Sequence, residues 1–154
     1  MSRDAAEVAR VSADAMWKDD AASRSLGMTL DKIAPGHAVL SMKIGVNMVN
    51  GLGSCHGGFI FMLADSAFGY ACNSRGQRHM AQNCQITYLA PARLGARLTA
   101  EARERYRARQ EFTPIHANPS SIDKHELIQV EQQSARIGES KLLHMSGQCQ
   151  LLRI

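Results

Sequence analysis

The chain has 154 residues, 45% of them hydrophobic, 21% charged and 5% aromatic. That composition buries one substantial core and excludes a disordered or fibrous chain. The formal charge of +4 and a pI near 9.1 would suit nucleic acid, a membrane surface or a nucleotide cofactor, but the excess is small. It gathers in Arg97, Arg103, Arg105, Arg107 and Arg109, where a solvated strand face explains it equally well. Nucleic-acid binding would interleave aromatics with these arginines, and only Tyr106 lies among them, so no nucleic-acid partner is expected.

Residues 3–18 read as an amphipathic helix, with Val8, Val11, Ala15 and Met16 at helical spacing. The segment is charged rather than apolar, unlike a signal peptide. Pro35-Gly36 marks a turn. Beyond it Leu40, Met42, Ile44 and Val46 alternate with Ser41, Lys43 and Gly45, which predicts a half-buried strand. Asn47 to Gly53 reads as a loop leading into Cys55-His56-Gly57-Gly58.

From Phe59 to Cys72 nearly every residue is apolar or small. The run is too long for one strand and apolar on all sides, which predicts a helix covered on every face. Asn73 and Gly76 end it. Asp65 and Ser66 interrupt it, which argues against a membrane span. Residues 81–89 and 96–109 read as strands separated by Pro91 and Gly95. In the second, Leu98, Ala100, Ala102, Tyr106 and Ala108 share a face, and the arginines lie opposite. Thr113 to His125 reads as an exposed loop. A last hairpin is expected from Leu127–Ser134, a turn at Gly138-Glu139, and Leu142–Ile154. No repeat or linker divides the chain, so residues 1–154 are expected to form a single domain.

The four cysteines (Cys55, Cys72, Cys84, Cys149) form no CxxC pair. Reduced thiols in a cytoplasmic protein are the expectation, with no metal site. The residue that stands out is Asp65. An unpaired carboxylate in an apolar helix costs several kcal/mol or shifts its pKa upward. The alternatives are an exposed position or a neighbouring arginine. Ahead of it, Gly57 and Gly58 would bring the backbone close to a ligand at a helix N-terminus, whose free N–H groups suit a carbonyl oxygen. Asp65 lies about 12 Å by rise from Gly57, too far for both to touch one carbonyl within one subunit. A second chain or a bridging water is then required. His56 either caps the helix or orients substrate, and Asn50 either holds a water or shapes its loop.

Three blocks together, Met48-Val49-Asn50-Gly51, Cys55-His56-Gly57-Gly58-Phe59 and Leu63-Ala64-Asp65-Ser66-Ala67, closely resemble the phenylacetic acid degradation (PaaI-type) thioesterases. Trp17-Lys18-Asp19-Asp20-Ala21-Ala22-Ser23 and Leu89-Ala90-Pro91-Ala92-Arg93-Leu94-Gly95 extend the match. The resemblance implies an α+β hot-dog fold, a long central helix wrapped by a curved antiparallel sheet, here with an additional N-terminal helix. It implies hydrolysis of acyl-CoA thioesters, of the phenylacetyl-CoA or hydroxyphenylacetyl-CoA kind, without a cofactor. It also implies a homodimer or homotetramer with active sites shared between subunits. Asp65 would be general base or nucleophile, the Gly57 amide would polarise the carbonyl, and Asn50 and His56 would position water or substrate. Gly58, Phe59, Leu89 and Pro91 are candidate substrate-binding residues. Residues 105–125 depart from the family pattern, as an insertion or replaced segment where a turn normally helps hold coenzyme A phosphates. A non-catalytic acyl-CoA-binding module and a hydratase are the alternatives on the same fold.

Overall fold

The computed structural model describes residues 4–112, 123–137, 140–141 and 143–151. It opens with helices α1 (Ala5–Asp19) and α2 (Ala21–Ser25), followed by strands β1 (Thr29–Ala34) and β2 (His37–Lys43). The central helix α3 (Gly57–Asn73) comes next, then strands β3 (His79–Tyr88), β4 (Arg97–Phe112), β5 (Asp123–Ile137), β6 (Ser140–Lys141) and β7 (Leu143–Leu151). The strands form one antiparallel sheet in the order β1-β2-β4-β5-β7-β3, with β6 paired to β5. Helix α3 packs against β1, β2, β3, β4, β5 and β7, so the sheet wraps it as expected.

The core lies where α3 meets that sheet. Ile60, Leu63, Ala64, Ala67, Phe68 and Ala71 of α3 are buried against Leu40 and Met42 of β2 and Leu98, Ala100 and Ala102 of β4. The small residues at 64, 67 and 71 let the helix approach the sheet closely, and the large ones fill the gaps between strands. The C-terminal end of α3 is closed by the Asn73 side chain, which accepts the His79 N–H at 2.7 Å and donates to the Gly69 carbonyl at 2.8 Å.

α1 buries a different face from the one its valines suggest. Ala9 and Ala13 are fully buried and Met16 and Trp17 pack on the core, whereas Val11 is exposed and Val8 only half-buried. Alanine wins here because α1 lies close against α3 and β1, where a valine would overfill the gap. Beyond α1 the chain is tied to α3 by polar contacts. The Asp20 carboxylate caps α2 at the Ser23 N–H (2.9 Å) and accepts the Tyr70 hydroxyl (3.1 Å). Ser23 and Ser66 share a hydrogen bond at 3.0 Å, and Trp17 lies tilted against the Tyr70 ring. Burial, followed by the neighbouring Asp20, pushes the Tyr70 phenol far up, so it remains a donor.

The predicted strand through Val46 ends early. β2 stops at Lys43, Ile44 is still buried, and Val46 opens a short 3-10 turn with its side chain in solvent. The β4 alternation holds through Ala102 and then breaks. Its pairing with β5 shifts register on either side of Glu104, a bulge that turns this acid inward, where Arg75 (3.1 Å) and Arg107 (3.2 Å) pair with it. Arg107 therefore belongs to a half-buried ion-pair group rather than to a solvated face. Residues 105–112 and 123–125 extend the β4–β5 ladder as far as Phe112↔Asp123. Residues 113–122 of the expected loop, and the Gly138-Glu139 turn, lie outside the described residues. Cys55 and Cys84 carry free thiols, but Cys72, buried on α3, is disulfide-bonded. The expectation of reduced cysteines fails at that position. No helix among the described residues is long and apolar enough to cross a membrane.

Pro35-Gly36 is the predicted turn and joins β1 to β2 across the Ala34↔His37 pair. Gly36 has φ of 70°, the left-handed region a Pro-Gly turn takes at its third residue. Its N–H donates to the Ser74 hydroxyl (2.7 Å) and its carbonyl accepts from the Glu104 N–H (2.7 Å). A Cβ at this position would stand 2.9 Å from both the Glu104 Cβ and a Glu104 carboxylate oxygen. Gly36→Ala is expected to lower stability by about 2 kcal/mol through backbone strain and displacement of the Glu104 group. Urea unfolding of the two proteins measures the difference.

Candidate active site at the entry to the central helix

α3 starts at Gly57 because His56 caps it. The His56 backbone is extended, and its ring Nδ1 accepts the Gly58 N–H at 3.0 Å. That bond places the ring proton of a neutral imidazole on Nε2. The His56 carbonyl accepts the Phe59 N–H at 3.0 Å, and the Phe59 ring meets the imidazole edge-on. The Gly57 N–H, just ahead of these two amides, has no acceptor among the described residues. It is the donor that the first turn leaves open.

Asn50 organises the loop before the helix. Its side-chain oxygen accepts from the Leu52 N–H (2.9 Å) and the Ser54 N–H (3.2 Å), while its own N–H donates to the Ser54 carbonyl (2.7 Å). This leaves the side-chain NH2 as the group able to meet a water. The Cys55 N–H donates to the Ala92 carbonyl at 2.7 Å and the His56 N–H to the Met48 carbonyl at 2.8 Å. The loop is thereby fastened to the segment after β3.

These contacts border an open cavity of about 440 Å³ lined by Cys55, Gly57, Ile60, Tyr88, Leu89, Ala90 and Pro91. Of the residues singled out in the sequence, Gly57, Leu89 and Pro91 meet there. Asn50, His56, Gly58 and Phe59 stand behind it, in the loop and the helix cap, and do not line it. Asp65 is also absent from it, eight residues along α3 from Gly57, about 12 Å by helical rise.

Asp65 is half-buried, and no lysine or arginine pairs with it among the described residues. Its polar contact is a long one with the Cys84 thiol, sulfur to oxygen 3.9 Å. Burial pushes the carboxyl above its ordinary 3.8, and the Cys84 contact opposes that shift only partly. The thiol itself is raised, by burial and then by the charge of Asp65, so it is a protonated donor at neutral pH. A carboxylate with few donors and no cation is a stronger base than one in an ion pair.

The sequence reading missed Tyr88 and Cys84. Both lie on the face of β3 turned toward α3. An irregularity in the β3–β7 pairing between Ala81 and Asn83 lets His79 and Cys84, an odd number of residues apart, face the same way. The alternation of Cys84, Ile86 and Tyr88 just ahead of Leu89-Ala90-Pro91 is the signal that could have found them. The two glycines also have a more local reason than ligand approach. A Cβ on Gly57 would stand 3.0 Å from the Tyr88 ring, and one on Gly58 would stand 3.2 Å from the His56 ring.

The thioesterase superfamily model matches residues 52–113. The chain is 44% identical to acyl-coenzyme A thioesterase PaaI of Escherichia coli K12 over 98 residues, 64% of this chain and 70% of that protein. It is 37% identical to human acyl-coenzyme A thioesterase 13 over 84 residues, 53% of this chain and 60% of the relative. The solved structure of the E. coli PaaI protein, from the phenylacetic acid degradation operon, superposes with a TM-score of 0.78 at 31% identity, covering 97% of each chain. Sequence and architecture thus agree over the capped turn, the central helix and the sheet around it, and the chain belongs to the PaaI-type hot-dog acyl-coenzyme A thioesterase family.

Proposed function

We propose that the chain hydrolyses acyl-CoA thioesters, with aryl-acetyl groups such as phenylacetyl or hydroxyphenylacetyl as the acyl part. The observation that carries this reading is Asp65, a half-buried carboxylate with no cation paired to it among the described residues, raised in pKa and set on an apolar helix whose first turn leaves the Gly57 amide open. Asp65 attacks the thioester directly or activates a water, and the Gly57 N–H takes the charge that develops on the carbonyl oxygen. Asn50 and His56 hold the loop and cap that aim this amide. The cavity beside Gly57, walled by Ile60, Leu89 and Pro91, is apolar enough for an aromatic acyl group.

The two catalytic groups work from opposite subunits. β3 ends the sheet with an edge of ten residues that has no proline, no lysine and no acidic side chain to blunt it. The other outer strand, β1, has six residues with a bulge and the charged pair Asp31 and Lys32. Beside β3, the least covered side of α3 presents Phe61, Met62, Asp65 and Gly69, all half-buried. Pairing two β3 edges covers this apolar side and brings Asp65 of one subunit toward the first turn of the other, which removes the 12 Å difficulty.

Asp65→Asn, close in shape and without a base, is expected to lose at least about a hundredfold in kcat toward phenylacetyl-CoA. Release of free thiol is the measurement. Binding of coenzyme A, seen as thermal stabilisation, with no thiol release from the native chain would favour a non-catalytic acyl-CoA-binding module instead. The active form is the ionised carboxylate, and its pKa is raised, so kcat/KM should fall with decreasing pH at a value above 3.8. Cys84→Ala removes a donor to the charged form and moves that limb further up, as a pH–rate profile would record.

Subunit sharing makes a separate prediction. Gly57→Ala and Asp65→Asn chains, each inactive alone, are co-expressed. Random pairing then yields hybrid dimers with one intact site, and about a quarter of native activity returns. Absence of recovery in isolated hybrids would place both groups in one subunit.

A further inference from the structure

We propose that Tyr88 is a positioning residue for the hydrolysis, fixing the first turn of α3 so that the Gly57 N–H is already aimed at the acyl carbonyl. This rests on the role given to Gly57 above. The Tyr88 hydroxyl donates to the Gly57 carbonyl oxygen at 2.9 Å, and both residues line the same cavity. The face of Gly57 where a side chain would project is covered by the Tyr88 ring, whose Cζ, hydroxyl and Cε1 atoms lie 3.0, 3.1 and 3.3 Å from a Cβ built there.

The physical need for such a clamp follows from the glycine. Glycine has the widest backbone freedom, and the first turn of a helix is its loosest. A polarising amide lowers a barrier only if it is oriented before the charge develops, since reorienting it during reaction forfeits the gain. His56 restrains Gly58 and Phe59 through their N–H groups. Gly57 itself is restrained through its carbonyl, by Tyr88. The missing Cβ admits the ring, and the ring and hydroxyl restore the stiffness that the missing Cβ removes. Tyr88 pairs with Leu143 of β7 at the end of β3, so the clamp is anchored in the sheet. Burial pushes its phenol up, which keeps the hydroxyl a donor.

The same strand braces the other catalytic position. Cys84 and Tyr88 are four residues apart on one face of β3, about 13 Å by strand rise, which matches the helical rise between Asp65 and Gly57. Cys84 meets Asp65 where Tyr88 meets Gly57.

Tyr88→Phe keeps the ring and removes the hydroxyl. Its kcat is expected to fall about tenfold by the same factor for phenylacetyl-, benzoyl- and butyryl-CoA, because the carbonyl is common to all three. KM should stay within about twofold, and the acid limb of the profile should not move, since Asp65 is untouched. A wild-type kcat in Tyr88→Phe would sink the proposal. So would a loss confined to KM, or one that differs between acyl groups, because either marks Tyr88 as a cavity wall. Asp65→Asn assayed beside it separates the two readings. An unaffected Tyr88→Phe beside an inactive Asp65→Asn overturns the clamp alone. A slowed Tyr88→Phe beside an active Asp65→Asn supports the clamp and overturns the role of Asp65.

Discussion

The rest of this structure depends on the need to cover a helix that has no polar side. α3 carries apolar or small residues around nearly its whole circumference, and exposure of any face costs roughly 25 cal/mol per Å² of apolar surface. One sheet in a single chain cannot surround it. The sheet takes the side of Leu63, Ala64, Ala67 and Ala71. α1 and α2 are drawn over another side, held by the hydrogen bond from Tyr70 to Asp20 and the one shared by Ser66 and Ser23. What remains is the strip of Phe61, Met62, Asp65 and Gly69 beside the open edge of β3.

That remaining strip contains the reactive carboxylate, and the coincidence has a physical reason. A carboxylate on the sheet side of α3 would be sealed against Leu98 and Leu40 and would stay protonated. On a fully solvated face it would behave as an ordinary surface acid. Half burial, with a thiol as its neighbour, leaves Asp65 ionisable and basic. The amide at Gly57 is tuned the opposite way. Its neighbours in the first turn are satisfied by His56 and it is left open. One helix thus offers a base in its middle and a donor at its start.

Much of this was legible in the sequence, because its largest anomalies are local. A charge within an apolar run, a cap residue before two glycines and strict alternation from Leu98 to Ala102 each point to one structure. The departures are those that tertiary contact decides. Alanines rather than valines face inward on α1, since helix proximity rather than hydrophobicity sets the choice. Glu104 turns inward at a bulge because Arg75, from the turn after α3, is there to pair with it. The two glycines gave the correct helix start but not the rings of Tyr88 and His56 lying against them. Tyr88 is thirty-one residues from Gly57, and no periodicity connects them. Gly58 and Phe59 belong to the cap rather than to the cavity for the same reason: the side chain of a helix's first turn points wherever the preceding loop is fastened.

The ring over Gly57 also limits how this sequence can change over time. A side chain gained at position 57 must push aside the tyrosine at position 88, and a smaller residue at 88 leaves the glycine unsupported. Neither position can drift alone without passing through a poorer protein. The two are therefore expected to change together or not at all, which makes an aromatic partner for the first glycine as much a mark of descent as the glycine pair itself.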